Sequence, residues 1–447
     1  MYKTLYEDKM KLSKQSTGQQ VMLHRISHYL EPFIADLTGR LDIRLVRTFY
    51  DAFVSIIIFR NSSKGLLLSE LGKYITGAQH SPAGTKRLSN LFRSKNWMSV
   101  HLEAVHLERA KIYVAQQEEK ARRLLCFCDD SMIEKPESWF SEGLCPVYSS
   151  KAGRLTRIKR GYYTKPTSRI CVPGFEWTGM VIGGLGITPI LGLMKWWTTK
   201  GKDRECRDNI FYRLIKQVKE NFGSALTFVL DRGYANFPTL NRLTKHHQHF
   251  IIRWKNNLML KDGTGKEMNT WRICQGKKGL HKRRVWDMER QRYVLVEIIY
   301  QAVVHPELPD IQLYLIVVRN KSYKHQQPMY LLTDIQTDTI GTAWELFFSY
   351  IKRWDIEQAF RFNKSELGIQ SFRLWEFENR LKMMALVTLV YDFLLQTWRE
   401  HNAKARMWIN GWCPRTGEKL KEIKMPLYRL RAAFTNALEI VFAKNSG

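Results

Sequence analysis

Features that would place this chain among membrane or exported proteins are missing from its sequence. The most apolar stretch, residues 384–395, contains Asp392 and is shorter than the ~20 residues that span a bilayer. The first thirty residues are charged and interrupted, and they lack the basic start and apolar core of a signal peptide. We therefore expect a soluble, cytoplasmic protein without a membrane partner.

Cysteine pairs of the kind that hold zinc or build a disulfide scaffold are also missing. The seven Cys residues are an odd number and contain no C-x-x-C pair, so neither a zinc ribbon nor a disulfide framework is indicated. We expect free thiols in a reducing compartment.

Acidic residues are scarce relative to basic ones. The 447 residues include 71 Lys and Arg but only 42 Asp and Glu, which gives a formal net charge of +29. A surplus of this size destabilises a compact particle by self-repulsion unless a polyanion neutralises it. Nucleic acid is therefore the expected partner.

The length of the chain and the changes of residue pattern along it predict several domains. Residues 1–105 have apolar residues at helical spacing, and residues 106–255 alternate strands with helices, which is typical of an α/β sheet. Residues 256–338 are β-rich and are interpreted as an insertion that splits the α/β domain. We expect that domain to resume at 339–375, and a helical C-terminal region, 376–447, to contribute to dimerisation.

A short pattern in the N-terminal region is typical of a helix-turn-helix DNA reader. SELGKYIT, GAQHSPAG and TKRLSNLFRSK read as a helix, a turn and a basic helix, and the second helix would present Lys86 and Arg87 to DNA. An ordinary helical hairpin with a solvated basic face is the alternative.

Two acidic positions follow apolar runs of the α/β region. LLCFC leads to Asp129 and Asp130, and ALTFVL leads to Asp231. Because ligand sites in such sheets lie beyond the strand ends, chemistry is expected there. Asp129 and Asp130 point to opposite sides of an extended strand. We choose Asp129, which directly ends LLCFC, and keep Asp130 as the alternative.

A third acidic position lies in a helix predicted from about residue 340 to 367. Tyr350, Arg353, Glu357 and Lys364 fall on one stripe of that helix. Beside a phosphodiester, Glu357 would bind metal, Arg353 and Lys364 would neutralise phosphates, and Tyr350 would position the substrate. The alternative is a solvated face with an Arg353–Glu357 pair.

This Y-x2-R-x3-E-x6-K spacing resembles the signature of bacterial transposases of insertion-sequence family four. Asp129-Asp130-Ser131 resembles their D-x-[ST] context, and Asp231-Arg232 resembles their second Asp followed by Arg. The similarity covers roughly residues 120–370. It implies a ribonuclease-H-like domain with an Asp, Asp, Glu triad, interrupted by a β-rich insertion.

The chemistry implied by this resemblance is two-metal phosphodiester cleavage and joining. Two Mg²⁺ or Mn²⁺ ions activate the nucleophile and stabilise the leaving oxygen, and hard carboxylate oxygens suit both metals. Asp129 would bridge the two ions, and Asp231 and Glu357 would each complete one of them.

Further residues are expected to contact DNA. Residues 151–169 contain seven Lys and Arg and no acid, so Arg157 and Arg160 are candidates for backbone contact, as is Arg232. The resembling family forms hairpins at transposon ends, which calls for a base flipped onto an aromatic residue of the insertion. Tyr330 or Met329 falls near the position expected to be Trp, and Trp254 and Trp271 are alternatives.

These observations lead to one predicted function and two alternatives. We expect a bacterial, nucleoid-associated DNA transposase that binds terminal inverted repeats and target DNA, acts as a homodimer, cleaves the ends and joins them. A structure-specific nuclease of the same fold would cut without joining. A domesticated, non-catalytic DNA-binding protein is the third interpretation.

Overall fold

The computed structural model describes most of the chain with a few gaps. The described residues are 17–60, 65–120, 123–136, 138, 141–149, 171–287, 290–323, 326–413 and 425–444. The basic segment 151–169, with Arg157 and Arg160, lies outside them.

The N-terminal region is helical, as the apolar spacing predicts. Asp42 begins the second helix by accepting hydrogen bonds from the backbone N–H groups of Arg44 (2.8 Å) and Leu45 (3.2 Å), which caps the first turn. The fifth helix runs across the domain boundary predicted at 105/106. The helices are α1 (Thr17–Thr38), α2 (Ile43–Ile58), α3 (Leu68–Thr76), α4 (Ser81–Arg93) and α5 (Ser99–Glu118).

The predicted helix-turn-helix segment forms α3 and α4, and two glycines let them cross closely. A Cβ atom at Gly84 would lie 2.1 Å from the carbonyl oxygen of Gly72, and one at Gly72 would lie 2.6 Å from the backbone nitrogen of Thr85. Any larger residue at either position would push the helices apart.

The next strands and helices form a mixed sheet. Strand β1 (Leu124–Glu134) pairs antiparallel with β3 (Cys171–Gly184), which pairs antiparallel with β2 (Cys145–Tyr148) and β4 (Ile187–Trp197). On its other side β1 is parallel to β5 (Leu226–Leu230), and β5 is parallel to β6 (His249–Trp254). Helices α6 (Arg207–Phe222) and α7 (Phe237–Lys245) precede β5 and β6. This mixed sheet with flanking helices confirms the predicted ribonuclease-H-like fold class.

The β-rich insertion extends this sheet rather than forming a separate one. Its last strand is hydrogen-bonded to β6, so the order continues β6-β12-β11-β10, with β9 on the outer side of β10. The elements are β7 (Met259–Lys261), β8 (Glu267–Asn269), α8 (Thr270–Ile273), β9 (His281–Asp287), β10 (Arg292–His305), β11 (Leu308–Asn320) and β12 (Met329–Thr333).

The predicted single helix over residues 340–367 is wrong, because two helices occupy this range. Helix α9 (Ile340–Ile351) ends before α10 (Trp354–Ser365). Between them the backbone N–H groups of Arg353, Asp355 and Ile356 bond three residues back rather than four, which tightens the turn. The remaining helices are α11 (Phe377–Glu400), α12 (Asn402–Trp412) and α13 (Leu427–Lys444).

Two hydrophobic cores cover the two faces of the sheet. Leu125 and Phe127 of β1 pack in the core that also contains residues of α10 and α11. Cys126 and Cys128 point the other way, into the core that contains residues of α6 and α7. Within the described parts of the chain, no helix combines the length and apolarity needed to cross a membrane.

Candidate active site

Asp129 and Asp231 lie next to each other at the ends of two parallel strands. Cys128 of β1 is in register with Leu230 of β5, so the residue after each is an aspartate. Neighbouring side chains of an extended strand point to opposite faces of the sheet. Cys128 and Leu230, which precede the two aspartates, point to the α6 side. Both carboxylates therefore point to the α10 side, on strands about 4.8 Å apart.

Arg353 brings Glu357 into this group. Its Nη1 atom is 2.7 Å from Oδ2 of Asp129, and its Nη2 atom donates to Oε1 of Glu357. The Arg353 side chain is only 14% exposed, so this pairing is shielded from solvent. Carboxylates from β1 and α10 thus converge on one cation.

The surroundings make Asp129 hard to ionise. Its pKa is raised to about 7, because burial and the neighbouring negative charge of Asp231 raise it more than Arg353 lowers it. Further positive charge near this carboxylate would favour its ionised form at neutral pH.

Asp130 points to the opposite face and has its own partners there. Its Oδ1 atom accepts from Thr178 Oγ1 (2.7 Å), and its Oδ2 atom accepts from Arg207 Nε (2.5 Å) and Tyr234 Oη (2.9 Å). These bonds occupy both of its oxygens. The geometry therefore favours Asp129 over Asp130 as the carboxylate that faces Glu357.

The partners of Asp130 also hold the turn that follows Asp231. Asp231 Oδ1 accepts from the backbone N–H of Gly233 (2.7 Å), and Arg207 Nη1 donates to the carbonyl oxygen of Gly233 (3.4 Å). The Arg207 guanidinium lies 4.3 Å from the centroid of the Tyr234 ring. Asp130 thus supports the Asp231 turn from the α6 side of the sheet, through Arg207 and Tyr234.

The other residues of the predicted stripe lie around the carboxylates. Lys364 Nζ is 2.8 Å from Oγ of Ser131 on β1, and Tyr350 is buried at the end of α9. Burial raises the pKa of Tyr350, although Arg353 and Arg253 oppose this shift. Arg232 is exposed in the turn after β5.

Sequence reasoning missed three residues of this region. Arg253 follows Ile252, which is in register with Leu230, so it lies beside Asp231. Arg207 and Thr178 support Asp130 from α6 and β3. No spacing in the sequence marks them, because each comes from a separate segment that only the sheet brings near.

Two of the predicted base-stacking residues lie in the hydrophobic core. Tyr330 and Trp254 are opposite each other on β12 and β6, and both are buried in the core on the α6 side. Met329 is half-buried against the other core, on the carboxylate side, and Trp271 is exposed. A stacking role for any of these four residues stays a prediction.

The two basic residues predicted to read DNA from α4 differ in their surroundings. Lys86 is exposed, whereas Arg87 Nη2 lies 3.1 Å from Oδ2 of Asp51 on α2. Arg87 therefore joins α4 to α2 in this structure, and Lys86 is the freer of the two to contact a ligand.

The donor set suits a divalent cation, although Arg353 lies between two of its members. Among the described residues, no three His, Cys, Asp or Glu side chains form a ready-made metal cluster. Asp129 and Glu357 nevertheless already converge on one cation, with Asp231 beside Asp129. Carboxylate oxygens are the ligands preferred by Mg²⁺ and Mn²⁺, so these residues fit such ions once Arg353 moves aside.

Comparisons with known proteins bear on the same segment. No curated protein sequence matches this chain. A solved structure described as the piggyBac transposase synaptic complex with hairpin DNA aligns with 94% of this chain and 79% of that chain, at 10% identity and a TM-score of 0.42. A family model described as Transposase DDE domain matches residues 207–393. The part of the chain that carries Asp231 and Glu357 is thus similar to a transposase DDE domain.

Proposed function

We propose that this protein is a DDE transposase that cleaves transposon ends and joins their 3′-OH groups to target DNA. The observation that carries the proposal is the convergence of Asp129 and Glu357 on one cation, with Asp231 adjacent on the neighbouring parallel strand. The match of residues 207–393 to a transposase DDE domain supports it. Transposon ends and target DNA as partners, a homodimer and a location at the bacterial nucleoid belong to the same proposal.

The three carboxylates would hold two Mg²⁺ or Mn²⁺ ions, which activate water or a DNA 3′-OH and stabilise the leaving oxygen. Arg353 would exchange its carboxylate partners for the phosphates flanking the scissile bond, because a guanidinium binds either group through two donors. Lys364, which projects from α10 toward β1, would add positive charge on the same side. Asp130, Arg207 and Tyr234 would keep the Asp231 turn in place.

The test is a set of charge-neutralising variants with a control on the neighbouring residue. In Asp129→Asn, Asp231→Asn and Glu357→Gln, we expect Mg²⁺-dependent cleavage of end DNA to fall by ~10³-fold or more, while DNA binding survives. The matched control is Asp130→Asn, which removes the adjacent charge from the opposite face but keeps a side-chain oxygen that can accept from Arg207 and Tyr234, so cleavage should fall far less than in the other three variants.

Assays of cleavage and of joining separate the alternatives. Cleavage without any joined product would indicate a nuclease, and DNA binding without metal-dependent cleavage would indicate a non-catalytic protein. Loss of activity in Asp130→Asn with full activity in Asp129→Asn would overturn the assignment of the first carboxylate.

A further inference from the structure

Arg253 is a half-buried cation without a partner of its own. It lies on β6, and among the described residues its guanidinium has neither a hydrogen-bond acceptor nor a carboxylate in ion-pair contact. Arg353 and Arg207, which also lie close to the aspartates, are both paired with carboxylates. A guanidinium carries five N–H donors and stays charged at any ordinary pH. Arg253 therefore presents unused donors to an anion that reaches this part of the sheet.

The register of the sheet places Arg253 beside Asp231 and on the same face. Ile252 is in register with Leu230 of β5, so Arg253 and Asp231, which follow them, are neighbours. Arg253 lies opposite Leu331 of β12, which belongs to the core on the α10 side, whereas Ile252 points to the α6 side. Adjacent strands are about 4.8 Å apart and are rotated by only ~20–25°. The Arg253 side chain therefore begins directly next to that of Asp231.

Tyr350 indicates that the charge of Arg253 reaches the site. Burial raises the pKa of this phenol, and Arg353 and Arg253 both lower it, so both guanidiniums lie near the same ring. The Arg353 guanidinium lies 5.8 Å from the centroid of that ring and pairs with Asp129 on β1. Because β5, with Asp231 at its end, lies between β1 and β6, the two arginines flank Asp231 from either side.

We infer that Arg253 binds a DNA backbone phosphate next to the scissile one, on the β6 side of Asp231. The inference rests on the proposed function, in which Asp231 is a metal ligand and the scissile phosphate lies over the carboxylates. Arg353 and Lys364 contact residues of β1, so their charge lies on the β1 side of the site, and Arg253 supplies charge on the β6 side.

The chemistry of the guanidinium suits this task. It binds a phosphate through two parallel donors, and unlike Arg353 the Arg253 side chain does not have to release a carboxylate first. A phosphate contact carries no sequence information and fixes the position of the strand. Arg253 would therefore hold the DNA strand against the Asp231 side of the site whatever its sequence.

The test measures binding in Mg²⁺ to an end duplex that already terminates at the cleaved 3′-OH, so that binding is separated from end cleavage. The variant is Arg253→Gln. Its control is Lys245→Gln, which removes the same charge from an exposed side chain at the end of α7. Lys245 precedes β6 and so lies at the end of that strand away from Asp231. Each phosphate near the cleaved end is replaced in turn by a neutral methylphosphonate.

We expect Arg253→Gln to bind the unmodified duplex about tenfold more weakly, because a hydrogen-bonded charge pair is lost. At one phosphate, the methylphosphonate should weaken binding of the unchanged protein by a similar factor and have little further effect on Arg253→Gln. Two changes that remove the same contact are not additive. Lys245→Gln should keep the full methylphosphonate effect at that phosphate.

Additive losses at every phosphate would overturn the inference, and so would unchanged binding by Arg253→Gln. A lower melting temperature with equal losses on all duplexes would indicate a structural role instead, since an unpaired cation makes no contact whose loss should destabilise the fold. If Arg253→Gln does not fold, Arg253→Lys keeps the charge without the two-donor geometry. The methylphosphonate effect at the contacted phosphate should then be smaller than in the unchanged protein, and an undiminished effect at every phosphate would contradict the contact.

Failure of the proposed function would look different. Metal-dependent cleavage would then survive in Asp129→Asn, Asp231→Asn and Glu357→Gln, and the phosphate measurements on the uncleavable duplex would be unaffected. Failure of the Arg253 contact would leave the loss of cleavage in those three variants unchanged.

Discussion

The Arg353 guanidinium cannot bind the carboxylates and a phosphate at the same time. In this structure it pairs with Asp129 and Glu357, and in the proposed reaction it binds phosphate. A buried cation between two carboxylates stabilises them while no other positive charge is near. Arrival of a metal ion would release the guanidinium just when DNA phosphates need neutralising.

Removing Arg353 should therefore have opposite effects on two measurements. In Arg353→Ala, we expect Mn²⁺ to bind the DNA-free protein about tenfold more tightly by calorimetry, which corresponds to the loss of ~1.4 kcal/mol of competing interaction. Cleavage should fall by ~10²-fold or more, because the phosphate contact is lost. Lys364→Ala is the control, since Lys364 contacts Ser131 rather than these carboxylates. Unchanged Mn²⁺ affinity in Arg353→Ala would contradict competition between Arg353 and the metal.

At the residue scale, site residues could be predicted from the sequence where they belong to a local motif, and could not be predicted where they do not. That Asp129 and Asp231 follow apolar strand residues and that Glu357 lies in a helix could be predicted from local patterns, and their catalytic roles stay predictions. The support of Asp130 by Thr178, Arg207 and Tyr234 could not, because these partners lie far from it in the chain. For the same reason the choice between Asp129 and Asp130 needed the structure, since adjacent strand residues differ only in the face they occupy.

At the scale of elements, α11 is buried along most of its length and carries a charged residue in its centre. Asp392 is fully buried, and its Oδ2 atom accepts from Tyr29 Oη (2.9 Å) on α1. His106 and Arg109 of α5 lie 3.7 Å from the same oxygen. This cluster ties three helices together, because an unpaired charge at this depth would cost several kcal/mol.

His106 should make the stability of this helical cluster depend on pH. Burial lowers its pKa from 6.5, and Arg109 adds to this shift while Asp392 opposes it. The unfolded chain therefore takes up a proton below about pH 6.5 that the folded protein does not, and stability falls as the pH falls from there toward the lowered pKa.

The variant His106→Gln lacks this titration. We expect the difference in free energy of unfolding between the unchanged protein and His106→Gln to narrow as the pH is lowered from 7 to 5. Denaturant titrations at a series of pH values would measure it. A difference that stays constant with pH would contradict the assignment of His106 as a buried neutral group.

The break between α9 and α10 shows what periodicity misses at the scale of elements. Apolar and polar residues keep helical spacing through residues 340–367, so a single helix was predicted. The interruption consists of backbone hydrogen bonds around Arg353 that span three residues instead of four, and this hardly changes the pattern of exposed and buried positions. The amino-acid composition of the segment therefore does not reveal it.

For the whole molecule, the surplus of 29 positive charges should dominate how strongly DNA binds. A protein that makes 6–10 phosphate contacts loses about 10³–10⁵-fold in affinity between 50 and 200 mM salt. We expect a loss of this size for duplex DNA, measured by fluorescence anisotropy at several salt concentrations. A loss of less than about tenfold would mean that few of these charges contact phosphate, and it would leave the excess without an electrostatic role in binding.

The insertion could be located from the sequence, but its attachment could not. Its strands were recognisable from β-rich runs, whereas the pairing of Tyr330 with Trp254 joins segments that lie far apart in sequence. Pairing of this kind depends on the packing of the whole sheet, which no local pattern reports. The burial of both aromatic residues accompanies this pairing, and the sequence pattern did not predict that burial.

That pairing also decides whether the insertion can be treated as a separable module. Removing β12 together with the stretch that separates it from β6, or shortening that stretch so that β12 no longer reaches β6, would leave the edge of β6 without its neighbour and open to pairing with other molecules. Truncated versions of this protein should then aggregate rather than behave as a smaller soluble domain. Evolution could lengthen or decorate the outer strands freely, but β12 would have to be retained wherever β6 is.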